Sequence, residues 1–216
     1  MAGRLDQGSV DDFVGLAHDE PSAAATWLRW RPELAYLTSS WGENALQAAS
    51  HLGHKQLLSA LLEHGAAVDV YAACSMGDTA TVRALLPAHS AQACGIHGLP
   101  ILHFGVVSRD VQMLEFLLGA GVAANQPGAS LSPLHSAVAI GSKTMIRLLL
   151  AAGADTRFRD ALGATALDWA QELDAFDAEV LHLLDWNTSS AAAGELRYSS
   201  GWLGGHKGGR NRRYLS

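Results

Sequence analysis

Apolar residues along this chain come in short blocks three to four residues apart, and each block ends in a glycine or a polar turn. In the best-formed stretch, Ser132-Pro133-Leu134-His135-Ser136-Ala137 precedes Gly141, then Met145-Ile146 and Leu148-Leu149-Leu150, then Gly153-Ala154-Asp155. Ser132 is a good N-cap, and Pro133 at the first helical position forfeits no bonded amide. Met145, Ile146, Leu149 and Leu150 fall on one helical face. Gly153 is placed to end that helix in the left-handed conformation, as are Gly65 and Gly121 in their own stretches. The pattern predicts two short amphipathic helices joined by a tight turn.

The same order recurs. It appears as Asn44-Ala45-Leu46-Gln47-Ala48-Ala49 with Gly53-His54, Leu57-Leu58, Leu61-Leu62 and Gly65-Ala66. It appears again as Pro100-Ile101-Leu102-His103-Phe104-Gly105 with Met113-Leu114 and Phe116-Leu117-Leu118, and as Thr165-Ala166-Leu167-Asp168-Trp169-Ala170 with Val180-Leu181 and Leu183-Leu184. Weaker copies run from Asp19 to Trp27-Leu28 and from Gly77 to Leu85-Leu86. The inter-helix turns at Asp19, Gly53, Gly77, Arg109, Gly141 and Asp174 are separated by 34, 24, 32, 32 and 33 residues. A helical bundle would give no reason for such a recurrence. A pair of short helices cannot bury its apolar face alone, so neighbouring pairs must stack.

With this period and these residues, the chain resembles the ankyrin-repeat family from about Val10 to Asp185. The resemblance implies an all-α solenoid of five to six stacked helix-turn-helix pairs, with short β-hairpin fingers and atypical capping repeats at both ends. The expected domain is 1–185, followed by a C-terminal tail at 186–216. The 24-residue step leaves no room for a finger after Asp69, where helix is predicted to begin at once with Asp69 as its cap. The connection from Pro87 to Gly98 is loop-like. Thr188-Ser189-Ser190 and the glycines beyond read as a flexible tail.

Composition narrows the class. Hydrophobic residues make up 49% and charged residues 17% of the chain, which excludes a wholly disordered protein. No apolar run reaches the roughly 18 residues of a membrane span, and the N-terminus lacks a secretory signal. A cytoplasmic location is therefore the expectation. The formal charge is −6. Arg197, Lys207, Arg210, Arg212 and Arg213 against Glu195 give the stretch from Trp186 onward +4, leaving −10 for the rest. An acidic body argues against nucleic acid, for which the basic tail is the single candidate.

Chemistry-bearing residues are few in pattern though not in number. By the resemblance, His103 and His135 occupy a signature position that hydrogen-bonds neighbouring backbone, and His54 occupies another. The ten histidines show no His-x-x-x-His spacing with a nearby acid. A site assembled across repeats from Cys94, His97 and His103 is the alternative, but neither metal nor cofactor is expected. Cys74 reads as a packing residue and Cys94 as a loop thiol; two cysteines make no disulfide framework. The glycines around Lys207 lack the order of a phosphate loop. With Trp202, Leu203 and Tyr214 they suggest a tail that folds back on the acidic body. No catalytic residue is expected.

The resemblance also places the finger tips and the exposed side of each first helix on a concave partner-binding face. The apolar residues at those positions are Trp41, Leu52, Met76, Ile96, Leu99, Val107, Leu131, Ile140, Leu162 and Leu173. So large a strip points to an interface. The expected function is a non-catalytic, monomeric adaptor or regulator that binds a partner protein. The alternative is a small-molecule binder or enzyme using a groove near residues 71–103.

Overall fold

The computed structural model describes residues 5–86, 94–173 and 178–191. Twelve α-helices lie among them, arranged as six consecutive pairs. The pairs are α1 (Gln7–Asp19) with α2 (Pro21–Leu28), α3 (Ala45–Leu52) with α4 (Lys55–Glu63), and α5 (Val70–Met76) with α6 (Thr79–Leu85). They continue with α7 (Ile101–Val107) and α8 (Val111–Gly119), α9 (Pro133–Ala139) and α10 (Lys143–Ala151), and α11 (Ala166–Glu172) and α12 (Ala178–Ala191). First helices stack on first helices from α1 through α11, with second helices flanking them.

The helix starts obey local chemistry. Asn44 and Gln47 form a reciprocal capping box on α3, and Thr165 and Asp168 form another on α11. Asp69 caps α5 through the Ala72 amide and Ser132 caps α9 through the His135 amide. Gly65, Gly121 and Gly153 close the second helices with φ of 94°, 85° and 82°. At the inter-helix turns, Gly53, Gly77 and Gly141 are left-handed; Arg109 occupies the equivalent place with φ of 57°.

Where the connections are long enough, the fingers are tight turns. Thr38 pairs with Asn44 and Cys94 with Pro100, each as a single antiparallel bridge. The third pair has no finger ahead of it, because α5 begins directly at Val70. The absent finger brings α7 against α3 as well as α5. The contact is so close that a Cβ on Gly53 would lie 2.5 Å from the Val107 carbonyl oxygen.

Two apolar clusters form the core and meet at α5. Ala72 belongs to the cluster that starts at Val10, whereas Val70, Ala73 and Cys74 belong to the one that ends at Leu184. Leu149 is fully buried within the second. Most of the connection from Pro87, and the tail with Lys207, Trp202, Leu203 and Tyr214, lie outside the described residues.

Candidate functional site

The structure divides the ten apolar surface candidates. Trp41, Leu162 and Leu173 are exposed, at 53%, 69% and 49%. Leu52, Met76, Ile96, Leu131 and Ile140 are half-buried. Leu99 and Val107 are buried, which corrects the expectation that both face solvent. Leu99, ahead of α7, joins the core cluster with Val70 and Cys74, and Val107 is buried by the crowding of α7. All seven of its residues are buried, since α3, α5, α8 and α9 all pack on it. The apolar strip is therefore interrupted at its middle.

The signature histidines are wired into the backbone. The Nε2–H of His135 donates to the Ala164 carbonyl (3.1 Å) in the following finger, and its Nδ1 accepts from the Ser132 hydroxyl (2.7 Å). His103 Nε2–H donates to the His51 carbonyl (2.8 Å), and its Nδ1 accepts from Ser136 (2.7 Å). Burial drives His103 down to about 4, against the opposing pull of the His51 carbonyl. His135 is also lowered, chiefly by burial. Cys74 is buried and its thiol is pushed up to about 12, first by desolvation and then by Asp69, so it is inert.

The densest polar constellation was not anticipated. His18 at the end of α1, Glu43 in the finger turn, His51 on α3 and His97 in the 3-10 turn Ile96–Gly98 converge, with one ligand atom from each lying within 4.8 Å of all the others. Glu43 is 2% exposed, deep for a carboxylate. Its Oε2 lies 3.4 Å from His18 Nε2 and accepts from Trp41 Nε1 (3.3 Å). Its Oε1 lies 3.5 Å from His51 Nδ1 and 3.4 Å from His97 Nε2. The His51 ring stands 5.2 Å, centroid to centroid, from each of the other two imidazoles.

The surrounding chain holds this group in place. Ser39 donates its amide and hydroxyl to the Glu43 carbonyl (2.8 and 2.7 Å), and its hydroxyl oxygen accepts from the Glu43 amide (3.1 Å). Asp11 on α1 accepts from the amide and hydroxyl of Ser40, both at 2.7 Å, tying the turn to the first helix. His97 itself is left-handed, with φ of 58°. Its carbonyl is pinned by the Ser130 hydroxyl at 2.7 Å. Burial works to raise Glu43, but the imidazoles of His18, then His51 and His97, outweigh it and hold the carboxyl below its usual range. The Glu43 carboxylate raises His18 against its own partial burial. His51 is lowered, because desolvation exceeds the attraction of Glu43.

Of the cross-repeat set Cys94, His97 and His103, only His97 enters this cluster. Cys94 instead lines a half-open cavity of about 320 Å³ with Gln47, Ser50, Asp69, Tyr71, Gly95, Ile96 and Phe104. Asp69 is committed there as the α5 cap (2.7 Å to the Ala72 amide). The cavity occupies the place of the absent finger.

Stacked helix pairs, left-handed turns and backbone-bonded signature histidines define a repeat solenoid, and comparison with known families agrees. The model for ankyrin repeats in three copies matches residues 102–187, and that for a single ankyrin repeat matches residues 41–72. Together these matches span more than half of the sequence, and the chain belongs to the ankyrin-repeat family.

Among curated proteins, the chain is similar to E3 ubiquitin-protein ligase KEG of Arabidopsis thaliana, at 33% identity over 107 residues, covering 49% of this chain and 7% of that protein. It is 39% identical over 84 residues to Protein PhlB of Serratia liquefaciens, covering 38% of this chain and 37% of that one. It is 35% identical over 89 residues to Zygote-specific protein 3 of Chlamydomonas reinhardtii, covering 41% and 23%. The aligned stretch is thus well under half of each relative. No helix among the described residues is long and apolar enough to cross a membrane.

Proposed function

We propose that the chain is a non-catalytic adaptor or regulator, binding a partner protein through the finger-side face of its repeats. Ankyrin repeats generally mediate protein–protein interaction. The observation that carries the reading is the large apolar side chains left in water at finger and first-helix positions: Trp41, Leu162 and Leu173. Half-buried Leu52, Met76, Ile96, Leu131 and Ile140 supply adjoining apolar surface. Such anchors contribute most when a partner desolvates them. The formal −10 of the chain up to Asp185 favours a partner with a basic rim around an apolar centre. The module works as a monomer on this reading.

The test uses Leu162→Asp and Leu173→Asp, both at exposed positions outside the core. Each variant should melt like the parent yet capture its cellular partners at least about tenfold more weakly, the effect of losing one hot spot. An unchanged partner set on the double variant would overturn the proposal. A second reading, binding of a small molecule, is favoured by the cavity that the Tyr71–Phe104 ring pair helps to line. It predicts ligand-dependent quenching of Tyr71 that Gly95→Leu abolishes. A Cβ at Gly95 already meets Phe104 Cζ at 2.7 Å.

A further inference from the structure

We infer that His18, Glu43, His51 and His97 form a binding site for a divalent transition-metal ion, for which Zn²⁺ is the best match to three imidazoles and one carboxylate. His18 Nε2 lies 3.4 Å from Glu43 Oε2 and His97 Nε2 lies 3.4 Å from Glu43 Oε1; the 3.5 Å approach of His51 is through Nδ1, so that ring coordinates through its other nitrogen. Hydrogen bonds between such groups fall at about 2.7–3.2 Å. Bonds of about 2.0–2.2 Å to a tetrahedral zinc place neighbouring ligand atoms about 3.3–3.5 Å apart. These two separations match the edges of a coordination polyhedron better than hydrogen bonds, and the other ligand atoms, all within 4.8 Å of one another, need only draw in around the ion.

The Nδ1–H of His18 is committed to the Val14 carbonyl at 2.9 Å, and that of His51 to the Gln47 carbonyl at 3.0 Å. These bonds assign a tautomer in which the Nε2 of each ring carries a lone pair. Backbone carbonyls play this role for many metal-bound histidines. Glu43 Oε1 is buried and finds no hydrogen-bond donor among the described residues. Leaving such an oxygen without a partner is costly. A proton between His18 and Glu43 would satisfy Oε2, which already accepts from Trp41. It would leave Oε1 facing two imidazoles. One divalent cation serves all four groups at once.

The ligands come from α1, the turn before α3, α3 itself, and the turn before α7. His97 reaches back over a full repeat because α5 has no finger in front of it. Four protein ligands complete a tetrahedron, so the site is a structural staple across that gap with no open position for chemistry.

The experiment uses the full chain, purified without a polyhistidine tag and stripped by chelator. Titration with Co²⁺ should give intense visible ligand-field bands of tetrahedral nitrogen–oxygen coordination, saturating at one ion per chain, and Zn²⁺ should displace them. His97→Asn and Glu43→Gln should each weaken binding by more than the roughly 10–100-fold that outer-shell changes cost. His64→Asn, at the C-terminal cap of α4 and outside the cluster, should leave it unchanged. Zn²⁺ should also raise the melting temperature of the parent but not of His97→Asn. If Glu43→Gln fails to fold, His97→Asn still decides, because that ring is half exposed. Absence of the cobalt bands, or equal affinity in the parent and His97→Asn, would overturn the site.

Discussion

Two residues, one in a turn and one in a helix, show what a single side chain costs in this fold. Arg109 sits where Gly53, Gly77 and Gly141 sit in other repeats, with φ of 57°. A left-handed backbone costs a non-glycine residue about 1 kcal/mol or more. Arg109→Gly should therefore raise the denaturant midpoint, by about 0.5–1 kcal/mol in stability after the added flexibility of the unfolded chain is counted. His135 offers a second test, through protons. Burial holds its imidazole neutral, opposed by the bond to the Ala164 carbonyl and by Asp160 and Asp168, the acids that act on it. Its folded value lies below its ordinary 6.5. The unfolded chain thus binds the proton more readily, and this share of stability is complete above about 6.5 and lost as pH falls below it. Chemical melts at pH 7 and pH 5 should show a larger drop for the parent than for His135→Gln; parallel drops would place the ring in water.

Helix and turn chemistry explains which parts of the fold could be read from the sequence. The caps at Asn44, Asp69, Ser132 and Thr165 act within three residues, so local pattern captures them. The face of α10 is equally local, and Leu149 is fully buried on it. Leu149→Ala should cost about 2–5 kcal/mol in denaturant melts. A loss well below 1 kcal/mol would mean the repeats pack loosely there. The burial of Leu99 and Val107 was not legible, because it depends on how many helices surround α7. Position in the repeat assigns both residues to a solvent face; the absent finger brings α3 against Val107, and Leu99 joins the core cluster of α5 and α7. The histidine–glutamate cluster was hidden for the same reason. Its members stand at positions 18, 43, 51 and 97, and no helical or strand period joins them. Only the three-dimensional shortcut across the short third repeat does. The sequence signals that existed were the 24-residue step and a carboxylate in a finger turn surrounded by histidines in the same half of the chain.

At the scale of the whole molecule, that shortcut changes how the solenoid should unfold. Repeat arrays are coupled mainly through nearest neighbours. Here two apolar clusters meet at α5, whose pair with α6 consists of two seven-residue helices. Nearest-neighbour coupling alone would make that junction the weak link, and the N-terminal and C-terminal blocks would separate. The contact between Gly53 and Val107 bypasses the junction by joining the second repeat to the fourth. The parent should accordingly unfold as one unit, with amide protection in residues 10–63 and 101–173 lost at the same denaturant concentration. Gly53→Ala attacks the bypass twice. The residue is left-handed at φ of 72°, and its Cβ would sit 2.5 Å from a backbone oxygen that has no flexible side chain to yield. That variant should lose protection first in the N-terminal block, dividing one transition into two. Hydrogen exchange followed by mass spectrometry resolves the two blocks. If they already separate in the parent, or remain together in Gly53→Ala, the contact between α3 and α7 does not couple the halves.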